Sequence, residues 1–184
     1  MVAYTQWGSD GPVSRRLLLL RHAAAEFSGG QDHNRPLSTT GRAQARAQGV
    51  HMLAASLVPQ SVICSSALRT RTTLDLLLDQ WGKHAAKIDI EITDDIYQAS
   101  ATQVLTRAQS LPNSIHRALV LGHEPTMSML ASALAGPDSD PGAVHLARVG
   151  FMTGGLGILD FAADWQDLAP GAAQLRALVP PSST

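Results

Sequence analysis

An α/β fold of three layers, with helices on both faces of a central and mostly parallel sheet, is what this sequence predicts. Short, wholly apolar runs are bounded by polar residues, as in buried strands. Segments with a helical apolar period lie between them. The 184 residues are 45% apolar, enough for one compact domain with a real core and short for two.

The elements follow in order. "RRLLLLR" (15–21) reads as a strand buried on both faces, and "SVICS" (61–65), "KIDIEI" (87–92), "RALVLG" (117–122) and "GLGILDF" (155–161) as four more. Ser38 is placed to cap a helix with apolar positions Ala43, Ala47, Val50, Ala54 and Leu57, ended near Pro59. Leu74, Leu77, Leu78 and Trp81 repeat at i, i+3, i+4, i+7, as do Met127, Leu130, Ala131 and Leu134, with Pro125 suited to the first turn. One domain over residues 1–184 is expected, with loose ends at about 1–13 and 179–184 and a plain loop at "GPDSDPG" (136–142).

Composition narrows the partners. A net charge of −1 gives no electrostatic case for nucleic acid or an anionic membrane surface. The N-terminal stretch lacks the apolar core of a signal peptide, and Leu17–Leu20 is far too short to span a bilayer. Cys64 is the one cysteine, so no internal disulfide can form, which fits a cytoplasmic setting. One cysteine, no H-x-H and no H-E-x-x-H speak against a metal site, and no cofactor is called for.

In open α/β sheets, ligands bind beyond the carboxyl ends of the strands. Arg21 and His22 stand after the first strand, Arg69 after the second, Asp94 and Asp95 after the third and His123 after the fourth. Two arginines and two histidines suit a tetrahedral dianion such as phosphate, since guanidinium forks take phosphate oxygens in pairs. A helix N-terminus after Pro125 would add backbone donors. An imidazole beside arginines is disfavoured as a cation, and its free lone pair can attack phosphorus. Each residue also has a plainer reading. His22 or His123 alone would be a hydrogen-bonded structural histidine, Arg21 or Arg69 a surface or paired arginine, and the aspartates solvated loop acids. His33, His51, His84, His116 and His145 show no paired spacing and read as surface or core residues.

Four blocks in one order add a resemblance. "LLLLRHAAAE", "DHNRPLSTTGRAQA", "VICSSALRTRTT" and "LVLGHEPTMSML" resemble the signature segments of the histidine phosphatase superfamily, the phosphoglycerate-mutase-like fold. The D-H-x-R-P-L form and the small size are most similar to its SixA-type phosphohistidine phosphatase branch. The resemblance implies His22 as the phosphorylated nucleophile, Arg21, Arg35 and Arg69 as phosphate-binding arginines, and His123 as the second pocket histidine. Asp94 aligns with the family's proton-donor glutamate, one methylene shorter. Ser66, Thr70 and Glu124 depart from the usual residues without removing a group the chemistry requires, and Glu124 either tunes His123 or points away.

The implied activity is a metal-independent phosphatase working through a phosphohistidine on the enzyme. An alkoxide leaves poorly and needs a positioned acid. The imidazole of a phosphohistidine leaves more easily, so an acid one methylene shorter and a chain too short for a large lid favour phosphohistidine in a protein partner. "SGGQDHN" (28–34) is the expected gate. A small phosphorylated metabolite, such as a sugar or glycerate phosphate, is the alternative substrate. A non-catalytic phosphate-binding module is a third reading. Oligomeric state stays open.

Overall fold

A computed structural model describes residues 15–27 and 30–181. Six strands form one sheet: β1 (Arg15–Arg21), β2 (Ser61–Ser65), β3 (Asp89–Thr93), β4 (Arg117–Gly122), β5 (Leu156–Phe161) and β6 (Gln174–Val179). Their order is β3-β2-β4-β1-β5-β6. The first four are mutually parallel, β5 runs antiparallel to β1, and β6 runs antiparallel to β5. The helices are α1 (Thr39–Ala54), α2 (Leu68–Trp81), α3 (Ala101–Gln109), α4 (Thr126–Leu134) and α5 (Pro141–Val149).

The four leucines of β1 show why the run carries no polar residue. Leu18 and Leu20 face a core shared with Met52 of α1 and Leu74, Leu77 and Trp81 of α2. Leu17 and Leu19 face the opposite core, with Val104 of α3, Met127 and Leu130 of α4 and Ala143 of α5. All four are fully buried, as a central strand between two helical layers requires.

Several expectations need correction. The buried face of α1 is Gly41, Ala45, Gln48, Gly49 and Met52, while Ala43, Val50 and Ala54 are exposed. Backbone approach decides this face. A Cβ on Gly41 would lie 1.9 Å from the Ala24 carbonyl oxygen, and one on Gly49 would lie 2.9 Å from Gln80 Cβ. The third strand starts at Asp89, because residues 82–87 form a 3-10 turn, and as the sheet edge it is largely exposed. Val179 pairs with Leu156 in β6, so the tail begins beyond it. The end of "GPDSDPG" is no plain loop: Asp140 accepts from Ala143 N as the N-cap of α5, and Pro141 opens that helix. The first thirteen residues, expected to be loose, lie outside the described residues.

Candidate active site

Because β1 to β4 are parallel, their carboxyl ends share one edge of the sheet. β1 and β4 are hydrogen-bonded neighbours, so His22 and His123, each one residue past its strand, stand side by side with ring centroids 5.2 Å apart. The His22 backbone is fixed by its N–H donating to Gly122 O (3.0 Å) and its carbonyl accepting from Gly154 N (3.0 Å). β2 lies on the other side of β4 and delivers Arg69 from the first turn of α2.

The Arg69 guanidinium joins the two rings. Its Nε points to His22 Nε2 at 3.3 Å and its Nη2 to His123 Nδ1 at 3.3 Å. On its other edge, Nη1 donates to the Asp32 carbonyl (2.7 Å) and Nη2 to Asp32 Oδ2 (2.9 Å). His22 Nδ1 sits 2.7 Å from its neighbour's carbonyl, Ala23 O. A carbonyl only accepts, so the proton is assigned to Nδ1 and the lone pair to Nε2, the nitrogen facing Arg69. His123 is the reverse. Its Nδ1 accepts from Arg69, so Nε2 carries the proton and donates to Ser65 Oγ at 2.8 Å.

Both rings are held neutral. Burial is the main cause that lowers His22 to about 4, with Arg69, Arg21 and Arg35 adding to it against the Ala23 carbonyl. Burial also leads in lowering His123 to about 3, followed by His22 and Arg69.

The remaining expected residues divide. Arg35 enters the cluster through Asp32 Oδ1 (3.1 Å), with Nε on Glu26 O (2.9 Å). Arg21 donates to the Phe151 carbonyl, and its buried Nε has no partner among the described residues. Its charge still reaches both imidazoles. Glu124 points away from His123: it accepts from Phe151 N and from Ser128 Oγ (2.7 Å) and faces Arg21. Ser128 N also donates to Glu124 (3.3 Å) and Met127 N to His123 O (3.1 Å), so these first-turn donors of α4 are spent on the protein itself. Asp94 lies in the 3-10 turn after β3, its side chain 86% exposed, accepting from Ser66 Oγ and 3.8 Å from His33 Nε2. No contact joins it to His22. Asp95 in the same turn is exposed and touches the cluster nowhere among the described residues.

Sequence reasoning missed Asp32, Tyr97 and His33. Tyr97 OH donates to Asp32 Oδ2 at 2.9 Å, and its ring lies edge-on to His33 and His123. His33, read as an ordinary surface or core histidine, bonds Ser66 Oγ at 2.8 Å. Burial pushes the Asp32 carboxyl up, but hydrogen bonds from Arg35, Tyr97 and Arg69 outweigh it and hold it at about 2. Of the expected gate, Ser28 and Gly29 lie outside the described residues, while residues 32–34 form a 3-10 turn anchored on Arg69. A cleft of about 550 Å³ opens from this cluster, lined by Asp32, Arg69, Tyr97, Gln98 and His123.

A cationic fork between two neutral imidazoles is the arrangement for accepting a phosphoryl group. Comparison with known proteins agrees. The family model of the histidine phosphatase superfamily (branch 1) matches residues 17–97. An uncharacterized protein of Mycobacterium tuberculosis is 32% identical over 159 residues, covering 85% of this chain and 96% of the relative. The chain belongs to the histidine phosphatase superfamily. Among solved structures of this superfamily, a candidate phosphohistidine phosphatase SixA of Nakamurella multipartitia is 31% identical, with a TM-score of 0.78 and coverage of 92% of this chain and 97% of that one. A second SixA candidate, from Agrobacterium tumefaciens, is 27% identical with a TM-score of 0.75, covering 91% and 98%. The fold is the phosphoglycerate-mutase-like fold of these neighbours, and a phosphatase is the class of enzyme they support.

Proposed function

We propose that this protein is a metal-independent phosphatase that passes the phosphoryl group through His22 and takes it from phosphohistidine in a protein partner. One observation carries the reading: His22 Nε2 keeps its lone pair on the pocket side, accepting from the Nε of Arg69, while Nδ1 keeps its proton on Ala23 O.

In the first step His22 Nε2 attacks phosphorus, the Nε2–P bond forms and the bond to the leaving group breaks. The Nε and Nη2 of Arg69 and the unpartnered Nε of Arg21 supply donors and charge to the phosphoryl oxygens, with Arg35 adding charge through Asp32, while the neutral His123 holds Arg69 Nη2 on this edge through its Nδ1 lone pair. The phosphorylated ring then carries phosphorus on Nε2 and hydrogen on Nδ1. In the second step water attacks phosphorus, loses a proton to solvent, and His22 departs as neutral imidazole. Its Nδ1–H, retained by Ala23 O, makes that departure easy. Asp94, beside Ser66 and His33 at the rim, is the proton donor for leaving groups that need one.

The cytoplasm, with its phosphorylated proteins, is the setting this reading assigns. Among the described residues no helix is long and apolar enough to cross a membrane.

The test is phosphate release from a phosphohistidine peptide beside a panel of sugar and glycerate phosphates, with acid quenching to trap phosphoryl on the protein. Release from the peptide, with acid-labile label lost in His22→Ala, is the expected result. Release from the sugar panel alone would end the protein-substrate reading.

A further inference from the structure

We propose that Asp32 selects the leaving group, favouring a phosphoryl carried on a ring nitrogen that departs from its protonated, cationic form over one carried on an alcohol oxygen. The proposal rests on the phosphatase reading above and adds to it a residue that sets its specificity.

The guanidinium of Arg69 presents two edges. The Nε and Nη2 edge faces the nitrogens of His22 and His123. The Nη1 and Nη2 edge is bound to the Asp32 carbonyl and carboxylate. Asp32 therefore leaves the reactive edge of the fork open, and its own charge stands at the wall of the cleft, with the side chain 53% exposed. In-line transfer to His22 sends the leaving group away from Nε2, and on this reading it is seated in that cleft, which Arg69 and His123 line beside Asp32.

The chemistry then separates two substrate classes. An N-phosphorylated imidazole has one remaining ring nitrogen. When that nitrogen is protonated, the ring leaves as neutral imidazole: the P–N pair returns to the ring and no further proton is needed. When it is not, the ring must leave as an anion. A fixed carboxylate at the wall favours the cationic ring and so the reactive form. For an alcohol ester the departing oxygen gains negative charge, and the same carboxylate opposes it.

The surrounding charges permit this. Arg35 and Arg69 bind the carboxylate directly, Tyr97 donates to it, and the neutral His123 feels its field. His33 and Asp94 lie beyond Tyr97 and Ser66. With Arg21, three guanidiniums stand against two carboxylates, Asp32 and the Glu124 that faces Arg21, so the phosphoryl dianion is still attracted.

The experiment uses the full chain and its Asp32→Asn variant, which keeps an oxygen for Arg69 and loses the charge. Rates are measured between about pH 5 and 9 with phosphoimidazole and with p-nitrophenyl phosphate. Asp32→Asn should lose about tenfold in kcat/KM on phosphoimidazole, and the alkaline limb of kcat, which reports the bound ring, should move down by about one pH unit, the two being the same loss of preference for the cationic ring. Loosening of Arg69 is common to both substrates, so the reading is the ratio: kcat/KM on phosphoimidazole relative to p-nitrophenyl phosphate should fall by about tenfold. Equal losses on both substrates, or an unmoved alkaline limb, would reduce Asp32 to a clamp on Arg69 and overturn the proposal. A wild-type protein inert on phosphoimidazole would overturn it as well. Phosphoimidazole carries no peptide, so failure of the protein-substrate reading shows separately, in the peptide assay.

Discussion

The Nε of Arg69 lies 3.3 Å from the Nε2 of His22. A guanidinium N–H only donates, so this contact requires a lone pair on Nε2 and fixes His22, the proposed nucleophile, in the neutral form. Two consequences can be measured. In nitrogen NMR of the rings, His22 should titrate as an Nδ1–H tautomer with a midpoint near 4, and His123 as an Nε2–H tautomer near 3. A midpoint near the ordinary 6.5 for His22 would contradict the assigned contact.

The same two rings bear on stability. Their folded pKa values are lowered, so below about pH 6.5 the unfolded chain binds protons that the folded protein refuses. Stability should therefore fall as the pH is lowered from about 6.5 towards 4, and it should be free of this penalty above that window. Melting temperatures between pH 7.5 and 4.5 (about that range) test the sign. The decline should be shallower when both histidines are replaced by asparagine.

How far the sequence reaches is visible in particular residues. The strand ends announced His22, Arg69 and His123, and parallel pairing of β1, β4 and β2 brought them together. Asp32 was hidden because its role comes from a loop folding back on a residue 37 positions away, a path no local pattern encodes. His33 and Tyr97 meet for the same reason. On α1 the alanines are spread around the helix, so periodicity alone could not choose the buried side. The glycines chose it, through close approach to the Ala24 backbone and the Gln80 side chain. β6 has a mixed, half-buried pattern, the expected signature of an edge strand and a weak one to read.

Arg69→Lys should cost about 10²–10³ in kcat/KM, the range for losing a preorganised donor to a developing anion. Lysine keeps the charge but offers one point of it. It cannot reach His22, His123 and Asp32 together from two edges, as the guanidinium does. Steady-state kinetics on p-nitrophenyl phosphate decide this, and unchanged rates would place Arg69 outside the reaction.

Gly41→Ala tests the packing that carries the Asp32 loop. The added methyl would meet the Ala24 carbonyl at 1.9 Å, and that carbonyl also accepts from Ser38 N at 3.0 Å. Backbone must shift, at a cost of about 1–3 kcal/mol. Melting should drop by several degrees, since about 2–4 °C accompany each kcal/mol at this size. A variant as stable as the parent would show that α1 can move away from Ala24 without loss.

Asp94→Asn separates acid catalysis from simple rim structure. The carboxylate accepts from Ser66 and lies near His33, with no contact to His22 among the described residues. If it serves as the proton donor, its loss matters only where the leaving group needs a proton. On a sugar phosphate, whose alkoxide departs poorly, kcat/KM should fall by about 10²-fold, the lower end for a general acid. On a phosphohistidine peptide, whose ring can leave neutral, the fall should stay below about threefold. This is the opposite pattern to Asp32→Asn, which should injure the nitrogen-linked substrate more than the oxygen-linked one. Equal falls on both substrates would instead assign Asp94 to holding Ser66 and His33 at the rim, and the proton for an alkoxide would have to come from another group in the cleft.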